Sequence, residues 1–185
     1  MLGRVGSVML WMTTLSSVDD LNTLGAQYPL GMHLYMRAPF FALTNSKLTT
    51  FINHYRATYN GEYPSDWAVM DYDAAMTWAK AANAAGSFDS DKVVKQLSGH
   101  TFSSLRGYNF TIRTQDLQAN VGETIGTTAD SSGKFPFPDL SPVTNLKGDD
   151  IIMPVNLVKE LQSGQCEQGG KPTTTDFALC PSWKG

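Results

Sequence analysis

The stretch from residue 63 to residue 86, YPSDWAVMDYDAAMTWAKAANAAG, constrains the fold of this chain most strongly. Pro64 disfavours helix at the residue before it, which predicts a turn there. Residues 67–70 are apolar and short enough for a buried strand, whereas the residues from 71 onward have helical periodicity. Gly86 suits the left-handed position just past a helix end. One helix face is defined by four residues at helical spacing: Ala74, Trp78, Ala81 and Ala85. The stretch therefore predicts a strand that leads directly into a helix, the half-unit of an α/β fold.

The rest of the chain continues this alternation of strand and helix. Strands are predicted at residues 7–12, 32–36, 108–113, 122–128 and 151–155. Helices are predicted at residues 20–26, 47–59 and 90–97, with N-caps at Ser17 or Asp19, at Thr44 or Asn45, and at Asp89. A turn is predicted at 102–107, a loop at 131–142 and an irregular tail at 164–185. This order predicts a parallel or mixed sheet covered by helices.

Size and charge exclude several classes of protein. A chain of 185 residues can form one domain with a substantial core. The net charge of −3, without a basic cluster, lacks the electrostatic pattern of a nucleic-acid binder. No stretch approaches the roughly 20 consecutive apolar residues of a membrane span.

Motifs of the common enzymes and metal sites are missing from the sequence. It contains no GxGxxG after a strand, no GxxxxGK[ST] and no GxSxG. His33, His54 and His100 are isolated and lack the spacing of metal ligands. Asp71 and Asp73, at the start of a predicted helix, do not face each other, which favours a role in matching the helix dipole over an acid–base pair. We therefore predict neither an enzyme nor a cofactor or metal site.

Cys166 and Cys180 lie near the C-terminus in a segment rich in Gly, Thr and Pro. A disulfide between them would be typical of an oxidising compartment. Two free thiols are the alternative, and a metal site is disfavoured because no CxxC motif and no histidine lies nearby.

The N-terminal segment MLGRVGSVMLWMTTLSS has one arginine followed by a modestly apolar run, like a short signal peptide. It lacks a small-x-small cleavage site, and its apolar part contains threonines and a tryptophan. We interpret it as a strand of the mature protein and predict no signal peptide in this chain.

Three stretches, in this order, resemble the type I periplasmic binding proteins, the branched-chain amino-acid and amide-binding family of ABC-transporter solute receptors. One is the run from residue 8 to residue 36, followed by the aromatic helix at 47–59. The next is YPSDWAVMDYDAAMTWAKAANAAGSFDSDKVVKQL, and the third is TFSSLRGYNFTIRTQDLQANVGETIGTT. The resemblance extends from about residue 8 to residue 128 and is looser beyond residue 131.

The resemblance implies a two-lobed α/β fold, with each sheet covered by helices on both faces and three hinge crossings between the lobes. Only the C-terminal half of that fold is matched, so the chain is expected to be a partial copy with an internal start. Residues 1–31 would belong to the second lobe, 32–43 to a hinge crossing, 44–116 to the C-terminal part of the first lobe, and 117–185 to the second lobe and the tail.

The resemblance also implies a solute-binding receptor subunit of an ABC transporter, which binds an amino acid, an amide or a small carboxylate by hinge closure. The implied partner is a membrane permease, and the implied location of the intact protein is periplasmic or extracellular. A ligand-sensing regulatory module of the same fold is the alternative, and an unrecognised α/β enzyme is a further one.

Four residues are candidate ligand contacts by resemblance. Thr13 and Thr14 follow the first strand, where several family members carry a carboxylate. Threonine offers a neutral donor and acceptor instead, which leaves room for amides, carboxylates or polyols. Asp71 and Tyr72 could face the cleft from the other lobe. The alternative is purely structural: turn and cap residues for the threonines, and helix packing for Asp71 and Tyr72. For Tyr35 and Arg37, on the predicted hinge strand, the two alternatives are likewise a ligand contact and a purely structural role.

Overall fold

The computed structural model describes residues 12–13, 16–168, 171–172 and 177–183. In these residues six α-helices are found: α1 Val18–Leu24, α2 Ser46–Thr58, α3 Asp66–Ala85, α4 Ser90–Leu97, α5 Gly148–Ile151 and α6 Val155–Gln162. The strands are β1 Met12–Thr13, β2 His33–Met36, β3 Thr101–Ser103, β4 Asn109–Thr111, β5 Glu123–Ala129, β6 Asp139–Leu146, β7 Glu167–Gln168 and β8 Lys171–Pro172.

A four-stranded mixed sheet organises these elements, in the order β1-β2-β5-β6. β1 runs parallel to β2, whereas β2 and β6 are each antiparallel to β5. The helices α2, α3 and α4 and the hairpin β3–β4 all lie between β2 and β5 in the chain. Since Met36 pairs with Thr124, the chain leaves the sheet and returns to it at neighbouring points.

The predicted strand at 67–70 is wrong, because these residues form the first turns of α3. Ser65 caps the helix by accepting a hydrogen bond from the backbone nitrogen of Ala68, so the helix begins at Asp66, directly after this cap. A short apolar run cannot by itself distinguish a buried strand from a buried helix segment. Gly86 does end the helix in the left-handed conformation, with φ 58° and ψ 28°, as predicted.

The buried face of α3 also differs from the predicted one. Trp78 is 49% exposed and stacks on Phe88, with ring centroids 5.8 Å apart. The residues of α3 that are buried are Asp66, Val69, Asp73, Thr77, Ala81 and Ala82. Of the predicted face only Ala81 is buried, and with Ala82 it packs against Val93 of α4. Small side chains allow that close approach between the two helices.

Three other predicted elements differ from the structure. The predicted loop at 131–142 gives way to β6 from residue 139 onward, and the predicted turn at 102–107 begins with β3. The predicted strand at 151–155 is instead the end of α5 and the start of α6. The capping residues of α1, α2 and α4 are among those predicted: Ser17, Asn45 and Asp89.

One hydrophobic core connects the sheet to the helices. It includes Leu21 of α1, Met36 of β2, Leu48 of α2, Val69 of α3 and Leu140 of β6. Aromatic rings extend this core where segments that are distant in the chain meet. Five rings take part: Phe40, Phe41, Tyr63, Phe135 and Phe137. We call residues 37–122, which connect β2 to β5, the excursion. These contacts pack the excursion against the sheet.

The carboxylate of Asp66 links three elements at the edge of this core. Its oxygens accept hydrogen bonds from the backbone nitrogen of Val18, at 2.7 Å, and from that of Ala38, at 2.8 Å. Val18 begins α1, Ala38 follows β2, and Asp66 itself begins α3. Because Asp66 is only 2% exposed, water is not available to replace these bonds.

Near the C-terminus, Cys166 and Cys180 form a disulfide with a Cα–Cα distance of 4.3 Å. Both cysteines pack against Leu157 and Leu161 of α6. The disulfide therefore attaches the chain around residue 180 to α6. In the described residues, no helix is long and apolar enough to cross a membrane.

We expect the substitution Asp66→Ala to lower the free energy of unfolding by about 3 kcal/mol, because it leaves two buried N–H groups without an acceptor. Asp71→Ala is the matched control, since Asp71 is an exposed aspartate of the same helix. Its effect should stay within about 0.5 kcal/mol. Urea denaturation followed by circular dichroism measures both values, and equal losses in the two variants would contradict this role of Asp66.

Asp66 should also contribute to the pH dependence of the free energy of unfolding. Burial raises the pKa of this carboxyl above its ordinary 3.8, although the hydrogen bonds from Val18 and Ala38 oppose the shift. An acid with a raised folded-state pKa stabilises the fold most at low pH, and this contribution is lost as the pH rises through that pKa. Relative to Asp66→Asn, the unsubstituted chain should therefore lose stability as the pH rises from about 3.8. Urea midpoints measured at several pH values test the sign, and a relative gain with rising pH would be the opposite outcome.

Candidate functional site

Three of the four predicted ligand contacts lie in the described residues, on two different elements. Thr13 lies in β1, where its Cα partner is Leu34 of β2. Thr14 lies outside the described residues. Asp71 and Tyr72 are both exposed on α3, where neighbouring residues point about 100° apart. Tyr72 packs against Phe51 of α2, with ring centroids 5.1 Å apart.

Tyr72 is one wall of a groove of about 830 Å³ between α2 and α3. The α2 side carries a row of aromatic rings, with Tyr55 6.0 Å from Phe51 and 4.5 Å from Tyr59 between centroids. The α3 side contributes Met76, and residues 103–105 close the space between the helices. Asp71 is not among the residues that line this groove. The groove combines this row of aromatic rings with polar side chains, which include Lys47, His54, Lys80 and Ser103.

Asp73 is among the lining residues of the groove and is the centre of a buried polar cluster. Its carboxylate accepts hydrogen bonds from the hydroxyl of Ser104 and from the backbone nitrogen of Leu105, the latter at 2.7 Å. Nε of Arg106 lies 3.5 Å from the same carboxylate. Since α3 begins at Asp66, Asp73 is two turns inside the helix. The predicted role of Asp73 at the helix start is therefore wrong, and its role is to attach the segment before β4 to α3.

A second cavity, of about 370 Å³, lies where the excursion meets the sheet. We call it the junction cavity. Its charged and aromatic lining comprises Arg37, Arg106, Tyr108, Glu123, Lys147 and Asp149. Arg37 directly follows β2, Glu123 begins β5, and Lys147 follows β6. The cavity therefore touches the points where the chain leaves the sheet and where it returns.

Two polar atoms of the junction cavity are buried without a hydrogen-bond partner: Nε of Arg37 and Oε2 of Glu123. Burial raises the pKa of Glu123, and the nearby guanidinium groups of Arg37 and Arg106 oppose the shift. Within residues 16–166, no ion pair within 4.0 Å involves Glu123. The guanidinium of Arg37 also lies 5.8 Å from the ring centroid of Trp67 in the first turn of α3.

Tyr108 and Arg106 of the cavity already have partners. The hydroxyl of Tyr108 accepts a hydrogen bond from the backbone nitrogen of Gly122 at 3.0 Å and donates to the carbonyl oxygen of Gly122 at 3.3 Å. Burial raises the pKa of this phenol, and Arg106 opposes the shift. The guanidinium of Arg106 lies 5.4 Å from the ring centroid of Tyr108. Tyr108 thus presents mainly its ring to the cavity.

Sequence reasoning identified only part of this cavity. Arg37 was noted because it lies on the predicted hinge strand, whereas Arg106, Tyr108 and Glu123 were not selected. One sequence signal could have identified part of the cavity, namely a charged residue at the end of a strand. Glu123 begins β5, and Arg37 follows β2. In residues 16–166 and 178–183, no group of three or more His, Cys, Asp or Glu side chains could hold a metal ion.

Comparison with known proteins identifies a family that this chain matches. Residues 3–132 match the model of a family described as periplasmic binding protein. No curated protein matches the chain.

Several solved structures share the fold. One is an ABC-type branched-chain amino acid transporter protein from Rhodopseudomonas palustris CGA009, with a TM-score of 0.66, 20% identity, and coverage of 79% of this chain and 38% of that one. A leucine-binding protein from Thermotoga maritima MSB8 has a TM-score of 0.54, 22% identity, and coverage of 71% and 35%. A solute-binding protein of an ABC transporter from Rhodopseudomonas palustris BisB5, in complex with 3,4-dihydroxy benzoic acid, has a TM-score of 0.58, 19% identity, and coverage of 71% and 35%.

The chain therefore spans little more than a third of the length of these structures, and at this identity they establish the fold alone. That fold is the α/β fold of the type I periplasmic binding proteins, of which this chain is a partial copy. Because the family model covers more than half of its residues, the chain belongs to the periplasmic binding protein family.

Proposed function

We propose that this chain is the C-terminal part of a solute-binding receptor of an ABC transporter, which closes two lobes on a small ligand. The observation that carries the proposal is the pairing of β2 with β5, together with the family match. The chain leaves the sheet after Met36 and returns at Glu123, next to its point of departure. Two adjacent crossings of this kind form a narrow link about which two bodies can rotate.

In this proposal the domain boundaries follow the crossings. Residues 1–31 and 117–185 belong to one lobe, residues 44–116 to the other, and residues 32–43 form a hinge crossing. The helices α2, α3 and α4 all fall within 44–116, which supports this division. The rest of the first lobe would come from chain that precedes these residues in a full-length receptor.

The proposed ligand contacts are Thr13 and Thr14 from one lobe and Asp71 and Tyr72 from the other. The position of Thr13 in β1, beside the crossing strand β2, supports a place near the cleft. The exposure of Asp71 and Tyr72 leaves both accessible to a ligand. The threonines supply neutral hydrogen-bond donors and acceptors, and Tyr72 supplies a ring edge and a hydroxyl.

The proposed ligand is an amino acid, an amide or a small carboxylate. The named ligands and solutes of the similar structures support this range, because they include leucine, branched-chain amino acids and a dihydroxybenzoic acid. The receptor would bind its ligand without turnover in the periplasm or outside the cell, and would deliver it to a membrane permease.

Ligand binding to the natural protein that carries this chain tests the proposal. We expect one or more of leucine, acetamide and 3,4-dihydroxybenzoate to bind saturably, with unchanged ligand recovered afterwards. Ligand at 100 times its dissociation constant should stabilise the protein by about 2.7 kcal/mol. Small-angle X-ray scattering should show a smaller radius of gyration in the bound state. Calorimetry, thermal unfolding and scattering are the measurements.

A double substitution, Thr13→Val with Thr14→Val, should weaken this binding about tenfold by removing two hydroxyls. Thr49→Val is the control, because Thr49 is an exposed residue of α2 outside the groove. Chemical conversion of the bound compound, or no binding across the three classes of compound, would refute the receptor function.

A further inference from the structure

The loop between α3 and α4 presents an aromatic side chain to solvent. Phe88 is 83% exposed and stacks on Trp78, which is itself 49% exposed. The loop is braced from within, because the backbone nitrogen of Asp89 donates to Oγ of Ser87 at 3.1 Å and Oδ1 of Asp89 accepts from the backbone nitrogen of Lys92 at 3.1 Å. We call residues 86–91 the knob. Contiguous exposed apolar side chains of this kind mark interaction surfaces.

The knob also carries negative charge. Asp89 and Asp91 follow Phe88 closely in the chain, and both are exposed. Asp89 caps α4 with one carboxylate oxygen, and Asp91 lies in the first turn of that helix. Each carboxylate has further lone pairs and can accept a hydrogen bond from a cation of another molecule. The knob therefore combines an aromatic anchor with two anionic groups.

The groove between α2 and α3 has the complementary chemistry. Its lining includes three aromatic rings and two exposed lysines: Phe51, Tyr55, Tyr72, Lys47 and Lys80. Asp73 is the only carboxylate among the lining residues in the described part of the chain, and it is already paired with Arg106. The groove therefore favours an occupant that is aromatic and negatively charged.

The two lysines lie at the same end of the groove. Nζ of Lys80 is 3.4 Å from Oγ of Ser103. Lys47 comes two residues after Asn45, whose side-chain amide donates to the carbonyl oxygen of Leu105 at 2.6 Å. Positive charge is thus concentrated beside the aromatic rings, in the arrangement that the knob requires.

The knob and the groove of one molecule face different sides of α3. Tyr72 lines the groove, whereas Trp78 supports the ring of Phe88. The six residues between Tyr72 and Trp78, at about 100° each, place these two side chains about 120° apart around the helix. The groove of one molecule is therefore open to the knob of another.

We propose that this chain associates with a second copy of itself, with the knob of one copy in the groove of the other. Phe88 packs against the rings of Phe51 and Tyr72, and Asp89 and Asp91 pair with the lysines of the groove. The volume of about 830 Å³ is ample for a phenylalanine side chain. Because the knob and the groove lie on different sides of one helix, the contact is head-to-tail. It leaves a free knob and a free groove at the two ends, so longer assemblies form as the concentration rises.

Sedimentation equilibrium of the 185-residue chain tests the association. We expect a monomer at about 1 μM and an average mass above that of a dimer at about 500 μM, since one anchor with two ion pairs makes a small interface of micromolar strength. Sodium chloride at about 0.5 M should weaken the association by screening the ion pairs. Non-specific apolar aggregation would not weaken with salt.

Removal of the anchor tests the knob. Phe88→Ser should weaken the association at least about thirtyfold, because aromatic anchors carry most of the binding energy of a small interface. Leu30→Ser is the matched control, since Leu30 is 57% exposed and does not line the groove. It should leave the association unchanged.

Charge reversal tests the groove. Lys47→Glu with Lys80→Glu should weaken the association at least about tenfold, because the new carboxylates repel those of the knob. Lys134→Glu with Lys159→Glu is the matched control. It makes the same change of charge at two exposed lysines outside the groove.

Mixing the two defective variants tests the fit of knob and groove directly. The Phe88→Ser chain keeps its groove, and the Lys47→Glu, Lys80→Glu chain keeps its knob. Each variant alone should remain monomeric at about 100 μM, whereas the equimolar mixture should form a one-to-one dimer that grows no further. Such a dimer also shows that both variants are folded.

Each outcome decides the proposal. An unsubstituted chain that remains monomeric at about 500 μM overturns it, and leaves the groove to residues that precede this chain in a longer receptor. Equal association of Phe88→Ser and Leu30→Ser, or a mixture of the two defective variants without dimers, also overturns it. These measurements use no ligand. A failure here is therefore distinguishable from a failure of the receptor function, which is measured with the cleft ligands.

Discussion

The buried carboxylate of Asp66 is the interaction on which the arrangement of the described residues depends. It satisfies the backbone nitrogens of Val18 and Ala38 and begins α3, so one side chain fixes α1, the end of β2 and α3 relative to one another. The helices of the excursion would otherwise be held to the sheet mainly by apolar and aromatic contacts, which constrain distance more than direction. The directional bonds to Asp66 therefore fix the orientation of α3, and through α3 that of α4 and the groove.

The same region explains why side chains of opposite charge line the junction cavity. A chain that leaves a sheet and returns beside itself brings together residues that are far apart in sequence, here Arg37 and Glu123. Both lie next to the last pair of β2 and β5, Met36 and Thr124, and Glu123 pairs with Leu146 of β6 on its other side. The polar cavity is therefore a consequence of one topological feature, the antiparallel pairing of β2 with β5.

Local signals predicted the helix ends well and the strands less well. Ser17, Asn45 and Asp89 cap helices as expected, and Gly86 ends α3, because caps depend on residues within one turn. The strand β6 was missed because its segment contains Pro142, but β6 is an edge strand of the sheet, where proline is tolerated. Residues 151–155 were misassigned because they form a short apolar run that resembles a strand. In the structure this run is the end of α5 and the start of α6, with Pro154 directly before α6.

The sequence by itself determined the α/β fold class, the helix caps and the resemblance to a family, since each follows from short-range spacing and from the order of recognisable segments. Only the tertiary structure decided which charged residues are buried and what they contact. Asp66 reaches Val18 across 48 positions and Asp73 reaches Ser104 across 31, so no local pattern could distinguish them from the exposed Asp71. The burial of a charge is set by distant segments that supply its hydrogen bonds, and that pairing exists only once the chain has folded.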